Sequence, residues 1–106
     1  MEHHANIVPW HFLRERQGAV LKWVDVDSTG ALDTQKVIDA MTDKTKLVRL
    51  ETPTNPLLQV ADIAAVSAEA KKRDIPVVVD NTFATPYLQR PLDHGADSKR
   101  RAKFDL

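Results

Sequence analysis

Asp80 is the side chain in this sequence whose setting most invites chemistry. It closes the run Ile75-Pro76-Val77-Val78-Val79-Asp80, so a carboxylate follows several apolar residues. A carboxylate at the end of a buried strand is partly desolvated and calls for a cationic partner. The same residue could instead cap the turn that follows, Asn81-Thr82. Asn55 stands in Glu51-Thr52-Pro53-Thr54-Asn55-Pro56, after a run that reads as a strand, Lys46 to Glu51. Between prolines it is either a turn residue or a ligand contact, and the turn residue is the commoner case. His3-His4, with His11 and His94, completes no recognisable metal-ligand spacing. No cysteine is present, which removes thiol nucleophiles, thiolate ligands and disulfides.

The elements that must position these residues follow from periodicity and punctuation. Ile7, Val8, Phe12 and Leu13 recur at helical spacing, which predicts a helix over 5–17 with Pro9 near its first turn and Gly18 at its end. Residues 19–25 read as a strand, and Asp27-Ser28-Thr29-Gly30 as a turn. Asp33 or Thr34 can cap a helix over about 34–42, with Val37, Ile38 and Met41 inward. A strand over 46–51 and a loop over 52–60 come next. Asp62 can cap a helix over about 63–73 with Ile63, Val66 and Ala70 inward. Residues 75–80 form a nearly all-apolar strand, as in a sheet covered on both faces.

Strands alternating with helices predict an α/β fold with a parallel sheet. In such a sheet ligands bind beyond the carboxyl ends of the strands. Neighbouring strands 46–51 and 75–80 would bring Asn55 and Asp80 to one crevice. Beyond Asp97 the sequence Ser98-Lys99-Arg100-Arg101-Ala102-Lys103-Phe104-Asp105-Leu106 is mostly charged, and a frayed basic tail is expected over 98–106. Trp10 and Trp23 are expected in the core or an interface.

The chain has 106 residues, enough for one small core, with 15 Lys plus Arg against 15 Asp plus Glu. That balance argues against a nucleic-acid partner. No apolar run approaches the ~18 residues of a membrane span, and the start lacks the pattern of a signal peptide. A cytoplasmic protein is the expectation.

The run TKLVRLETPTNPLLQVADIAAVSAEAKKRDIPVVVDNTFATPYLQRPLDHGAD, Thr45 to Asp97, resembles the Cys/Met-metabolism family of pyridoxal 5'-phosphate (PLP) enzymes. That family includes cystathionine γ-synthase, cystathionine lyases, methionine γ-lyase and O-acylhomoserine sulfhydrylases. The blocks ETPTNPL and VVVDNTFATPYLQRPL carry the resemblance. The opening MEHHANIVPWHFLRERQGAVLKWVDVD, Met1 to Asp27, resembles cysteine desulfurases instead, which implies a chimera joined between Asp27 and Val48. Both resemblances imply part of the large domain of a fold-type I PLP-dependent transferase, over residues 1–97.

The resemblance implies that Asp80 pairs with the protonated pyridine nitrogen of PLP, which makes the ring a better electron sink. It implies that Asn55 donates to the ring's phenolic oxygen, that Thr82 approaches the ring, and that His3 stacks on it. It implies a small amino-acid substrate and transsulfuration, C–S lyase or γ-replacement chemistry. A homo-oligomer is a further expectation, because strand edges are left open. The family's Schiff-base lysine follows Gly95-Ala96-Asp97 in an S-A-T-K motif. Asp105 stands where it should fall, and Lys99 and Lys103 lack the motif. Catalysis by these residues alone is therefore not expected. The alternatives are a structural or self-associating fragment, a module holding PLP without a covalent bond, and a cysteine desulfurase-related fragment, which rests on residues 1–27 only.

Overall fold

The computed structural model describes residues 4–54 and 56–100. Its sheet has three parallel strands in the order β1-β2-β3: β1 Val48–Glu51, β2 Val77–Asp80 and β3 Ser98–Arg100. The β1–β2 pairing runs in register from Val48 opposite Val77 to Glu51 opposite Asp80. The two expected strands at 46–51 and 75–80 are thus neighbours.

Helix α3, Ile63–Lys72, connects them. Its start is fixed by Asp62, whose side chain accepts from the Ala65 N–H at 2.9 Å. Ile63, Val66 and Ala70 recur on one face and are buried, Val66 completely. They pack with Leu50, Val77 and Val79 from one face of the sheet and with Val37 and Met41 around helix α2. Helix α2, Thr34–Ala40, is capped by Asp33, which accepts from the Gln35 N–H at 2.9 Å. The Arg73 guanidinium ties the end of α3 to the chain after α2 by donating to the Met41 carbonyl at 3.0 Å.

The other sheet face differs from the expectation of two covered faces. Along β2 burial alternates, with Val77 and Val79 buried and Val78 and Asp80 half-buried. Helices α2 and α3 serve one side only, and α1 contributes no residue to the core cluster.

Helix α1, His4–Gln17, forms where the 3.6-residue pattern places it. Gly18 ends it in the left-handed region, φ 68°, with its N–H donating to the Arg14 carbonyl at 3.1 Å. Pro9 lies inside the helix, not in its first turn, and removes one backbone bond there. Residues 19–25, expected as a strand, make no ladder. A strand exists only by pairing, and no described strand lies on the outer edge of β1. Val20 is therefore exposed, and Trp23 is half-exposed with its ring centroid 6.3 Å from that of His11. Trp23 is not a core residue.

After β2 come two short helices the periodicity did not reveal, α4 Thr85–Leu88 and a 3-10 turn Pro91–His94. Pro91 is buried, and Gly95 reverses the chain at φ 90°. Asp97 then locks the approach to β3: its carboxylate accepts from the Val77 N–H at 2.7 Å, and its own N–H donates to the Val77 carbonyl at 2.9 Å. This anchor corrects the expected tail at 98–100. Ser98–Arg100 pair with Val78–Asp80 despite their charge, because a strand edge was waiting beside them. Residues 101–106 lie outside the described residues.

Candidate functional site

Asp80 ends β2, the central strand, at the carboxyl edge of the sheet. Its backbone is held there, because the Thr52 N–H donates to the Asp80 carbonyl at 3.0 Å and so carries the ladder one residue past β1. Its side chain is engaged on both oxygens. Oδ2 accepts from Arg49 Nη2 at 3.1 Å. Oδ1 accepts from Thr82 Oγ1 at 2.5 Å and from the Thr82 N–H at 3.3 Å.

The cationic partner that the sequence called for is therefore Arg49. Both side chains are largely withdrawn from water, at 16 % and 14 % exposure. In that setting a paired carboxylate and guanidinium each offset the other's desolvation. The contact is made through one nitrogen only. Arg49 Nε is buried with no hydrogen-bond partner, so the planar fork is not used in full. The alternative reading of Asp80 as the cap of the next turn also holds in part, through Thr82.

The loop after β1 is fixed by its threonines. Thr52 is fully buried, and its hydroxyl accepts from the Ala61 N–H at 3.0 Å. Thr54 is also buried; its hydroxyl accepts from the Gln59 N–H at 3.1 Å, and its N–H donates to the Gln59 carbonyl at 2.9 Å. These bonds close the loop into a small arch above the end of β1. Asn55 belongs to this arch by sequence but lies outside the described residues. Asn81 is buried as well; its side-chain amide donates to the Gln89 carbonyl at 2.7 Å, which draws the chain after α4 back toward the end of β2.

Of the four residues expected at a site, the structure brings Thr82 onto Asp80. His3 and Asn55 lie outside the described residues, as do Lys103 and Asp105. Lys99 lies in β3, in register with Val79. Among the described residues no cluster of His, Asp or Glu could hold a metal ion. Arg49 and the arch-forming Thr52 and Thr54 are site residues that the sequence reading missed. A signal existed: Arg49 alternates with Leu50 in β1, which puts it on the same face as Glu51 and, across the ladder, of Asp80.

The chemistry of this end of the sheet fits the ring nitrogen of PLP. A carboxylate offers roughly four lone-pair positions, and three donors reach Asp80 here: Arg49 Nη2, the Thr82 hydroxyl and the Thr82 N–H. Capacity for a further donor remains, in competition with Arg49.

The family described as Cys/Met metabolism PLP-dependent enzyme matches residues 11–101. Cystathionine gamma-lyase of Dictyostelium discoideum is 53% identical over 87 residues, which is 82% of this chain and 22% of that protein. L-methionine gamma-lyase of Treponema denticola is 53% identical over 76 residues, 70% of this chain and 19% of that protein. The crystal structure of metB from Corynebacterium glutamicum superposes with a TM-score of 0.58 at 48% identity, over 67% of this chain and 18% of that one. The chain thus spans about a fifth of the length of these relatives.

Proposed function

The chain belongs to the Cys/Met-metabolism family of PLP-dependent enzymes, and on that premise we propose that it forms the part of a sulfur amino-acid enzyme that grips the ring of the cofactor. The observation that carries this reading is Asp80, a half-buried carboxylate at the carboxyl end of the central parallel strand. PLP, when bound, supplies an electron sink for charge developing at the α-carbon of an amino acid. Asp80 holds the proton on the ring nitrogen. Thr82 fixes the carboxylate by donating to Oδ1. Asn55, next to Thr54 in sequence, donates to the phenolic oxygen.

The substrate class is an amino acid carrying sulfur on its side chain, since the relatives are named for cystathionine and methionine. The choice among γ-lyase, synthase and β-lyase is not made by these residues. The 106 residues alone do not turn over in this reading, because no lysine in an S-A-T-K setting stands among them to tether the cofactor and carry protons. The desulfurase likeness of Met1–Asp27 gains nothing from the family match, which runs back to His11 and takes in residues 11–27. His3 over the ring belongs to that likeness alone. A cytoplasmic location and self-association through open strand edges complete the proposal. Among the described residues no helix is long and apolar enough to cross a membrane.

The test is an absorbance titration of the purified chain with PLP, followed by borohydride reduction and intact mass, with a turnover assay on cystathionine. The expected result is reversible binding, no site-specific adduct and no turnover. A stoichiometric adduct on Lys99 or Lys103, or measurable turnover, would overturn the non-catalytic part of the reading. PLP binding that Asp80→Asn leaves unchanged even in an Arg49→Met background would overturn the assignment of Asp80.

A further inference from the structure

Arg49 reaches Asp80 from the neighbouring strand, and its placement has consequences for any cation that Asp80 is meant to receive. The two side chains lie on one face of the sheet, the face that α2 and α3 leave half-open. Arg49 Nη2 is 3.1 Å from Oδ2, and Thr82 holds Oδ1. A protonated ring nitrogen brought to the same carboxylate would sit within roughly 4–6 Å of the guanidinium, where like charges oppose each other. Removal from bulk water leaves that repulsion poorly screened. The guanidinium is held to Asp80 by a single hydrogen bond, and its buried Nε has no partner. It is close enough to compete and too loosely forked to be a rigid strut.

We propose that Arg49 is a positioning residue that occupies Asp80 as an internal counter-cation and competes with the cofactor's ring nitrogen for that carboxylate. The proposal rests on the reading of Asp80 as the partner of that nitrogen. The chain's own cation satisfies the carboxylate when no ring is present, and the ring must share it or displace Arg49 on entry. Its ring-nitrogen contact then adds little to affinity.

The experiment compares two probes on the full chain: PLP and an analogue with carbon in place of the ring nitrogen. Both are titrated by absorbance and by tryptophan fluorescence. Wild type is expected to bind the two within about threefold of each other, since Asp80 gives the nitrogen little. Arg49→Met keeps the apolar stem and removes the charge, and is expected to bind PLP about tenfold tighter than wild type with little change for the carbon analogue. Arg49→Lys restores the charge and returns the affinity toward wild type. Adding Asp80→Asn to Arg49→Met abolishes the gain. A merely structural role for Arg49 would shift both probes together.

Wild type needs no variant to fold, and its own preference is decisive. If it already favours PLP over the carbon analogue by more than about tenfold, and Asp80→Asn removes that preference, the cofactor reading stands and the proposal for Arg49 falls. If neither wild type nor Arg49→Met distinguishes the probes, Asp80 does not meet the ring nitrogen and both fall. Failure of every variant to bind either probe likewise overturns both.

Discussion

Two regions of this chain carry similar amounts of apolar sequence and reach different ends. Residues 48–80 fold as strand, helix, strand, and their apolar positions vanish from water: Ile63, Val66, Val77 and Val79 are at most 3 % exposed. Residues 4–26 have a weaker helical stripe on α1 and a run that reads as a strand. Yet Val8 and Phe12 on α1 are about half-exposed, Val20 is 84 % exposed, and no ladder forms. Binary patterning specifies which face an element offers. Burial also requires a second surface, and in the strand-helix-strand unit each element supplies it to the others. The N-terminal region has no described strand to pair with; Val24 packs against the core, while α1 leans on local contacts such as Arg16 over the Phe12 ring at 5.3 Å.

The sharpest way to break this contrast is to remove matched apolar bulk from each region. Ile63→Ala empties a site 3 % exposed between α3 and the sheet. The expected loss is about 3 kcal/mol, the lost transfer energy plus the cavity left behind. That is a large fraction of the ~5–15 kcal/mol available to a chain of this size. Phe12→Ala removes a larger side chain, but from a position half in water, and is expected to cost below ~1 kcal/mol. Urea denaturation of both variants measures the difference. Equal losses would mean that α1 is packed in solution against a surface it does not meet here, and the contrast would fail.

A pair of glycines sharpens the comparison at smaller amplitude. Gly18 ends α1 at φ 68° and Gly95 turns the chain into β3 at φ 90°, so alanine at either site meets backbone strain. Only Gly95 also meets a neighbour: a Cβ added there would lie 3.2 Å from the Ser67 Cβ on α3, whereas nothing lies within 4 Å at Gly18. Gly95→Ala is expected to cost ~2 kcal/mol and Gly18→Ala ~1 kcal/mol. Thermal unfolding of the two variants reads the difference directly. A reversed order would show that the turn before β3 yields more easily than the end of α1.

The same division explains what could be read without coordinates. The caps Asp33 and Asp62 and the stop at Gly18 were legible because each depends on neighbours within a few residues, and β1 and β2 because each had the other to pair with. Residues 19–25 were misread because strand formation is a property of two segments, and the sequence shows only one of them. Ser98–Arg100 were misread in the opposite sense: their charge suggested a tail, while Asp97 on the Val77 N–H and the open side of β2 made a strand of them. At the candidate site, the turn contact between Asp80 and Thr82 was legible because the two residues are nearly adjacent in sequence. Arg49 was not, because its meeting with Asp80 depends on register between strands 31 positions apart in sequence. Asn55 and His3 lie outside the described residues, so their expected places are proposals still.

The smallest effect concerns the turn at Asp27, between the N-terminal region and helix α2. Its carboxylate accepts from the Thr29 hydroxyl at 2.6 Å, from the Ala31 N–H at 3.0 Å and from the Thr29 N–H at 2.8 Å. The Thr29 hydroxyl, followed by those two backbone N–H groups, holds the Asp27 pKa below its ordinary 3.8. A depressed acid pKa stabilises the fold while the group is ionised. The contribution is therefore complete above 3.8 and is lost as pH falls through the lower, folded value. Glu69, held low by Lys72 and then Arg73, loses its share in the same direction, so wild type alone cannot isolate Asp27. Asp27→Asn can, because the variant keeps Glu69 and removes only the titration at the turn. The denaturation midpoints of the two proteins should differ slightly at neutral pH and converge below 3.8, with wild type the more stable above it. The side chain is exposed, so solvent screening keeps the difference small. A gap that stays constant through acid would mean that the turn depends on carboxylate shape and not on its charge.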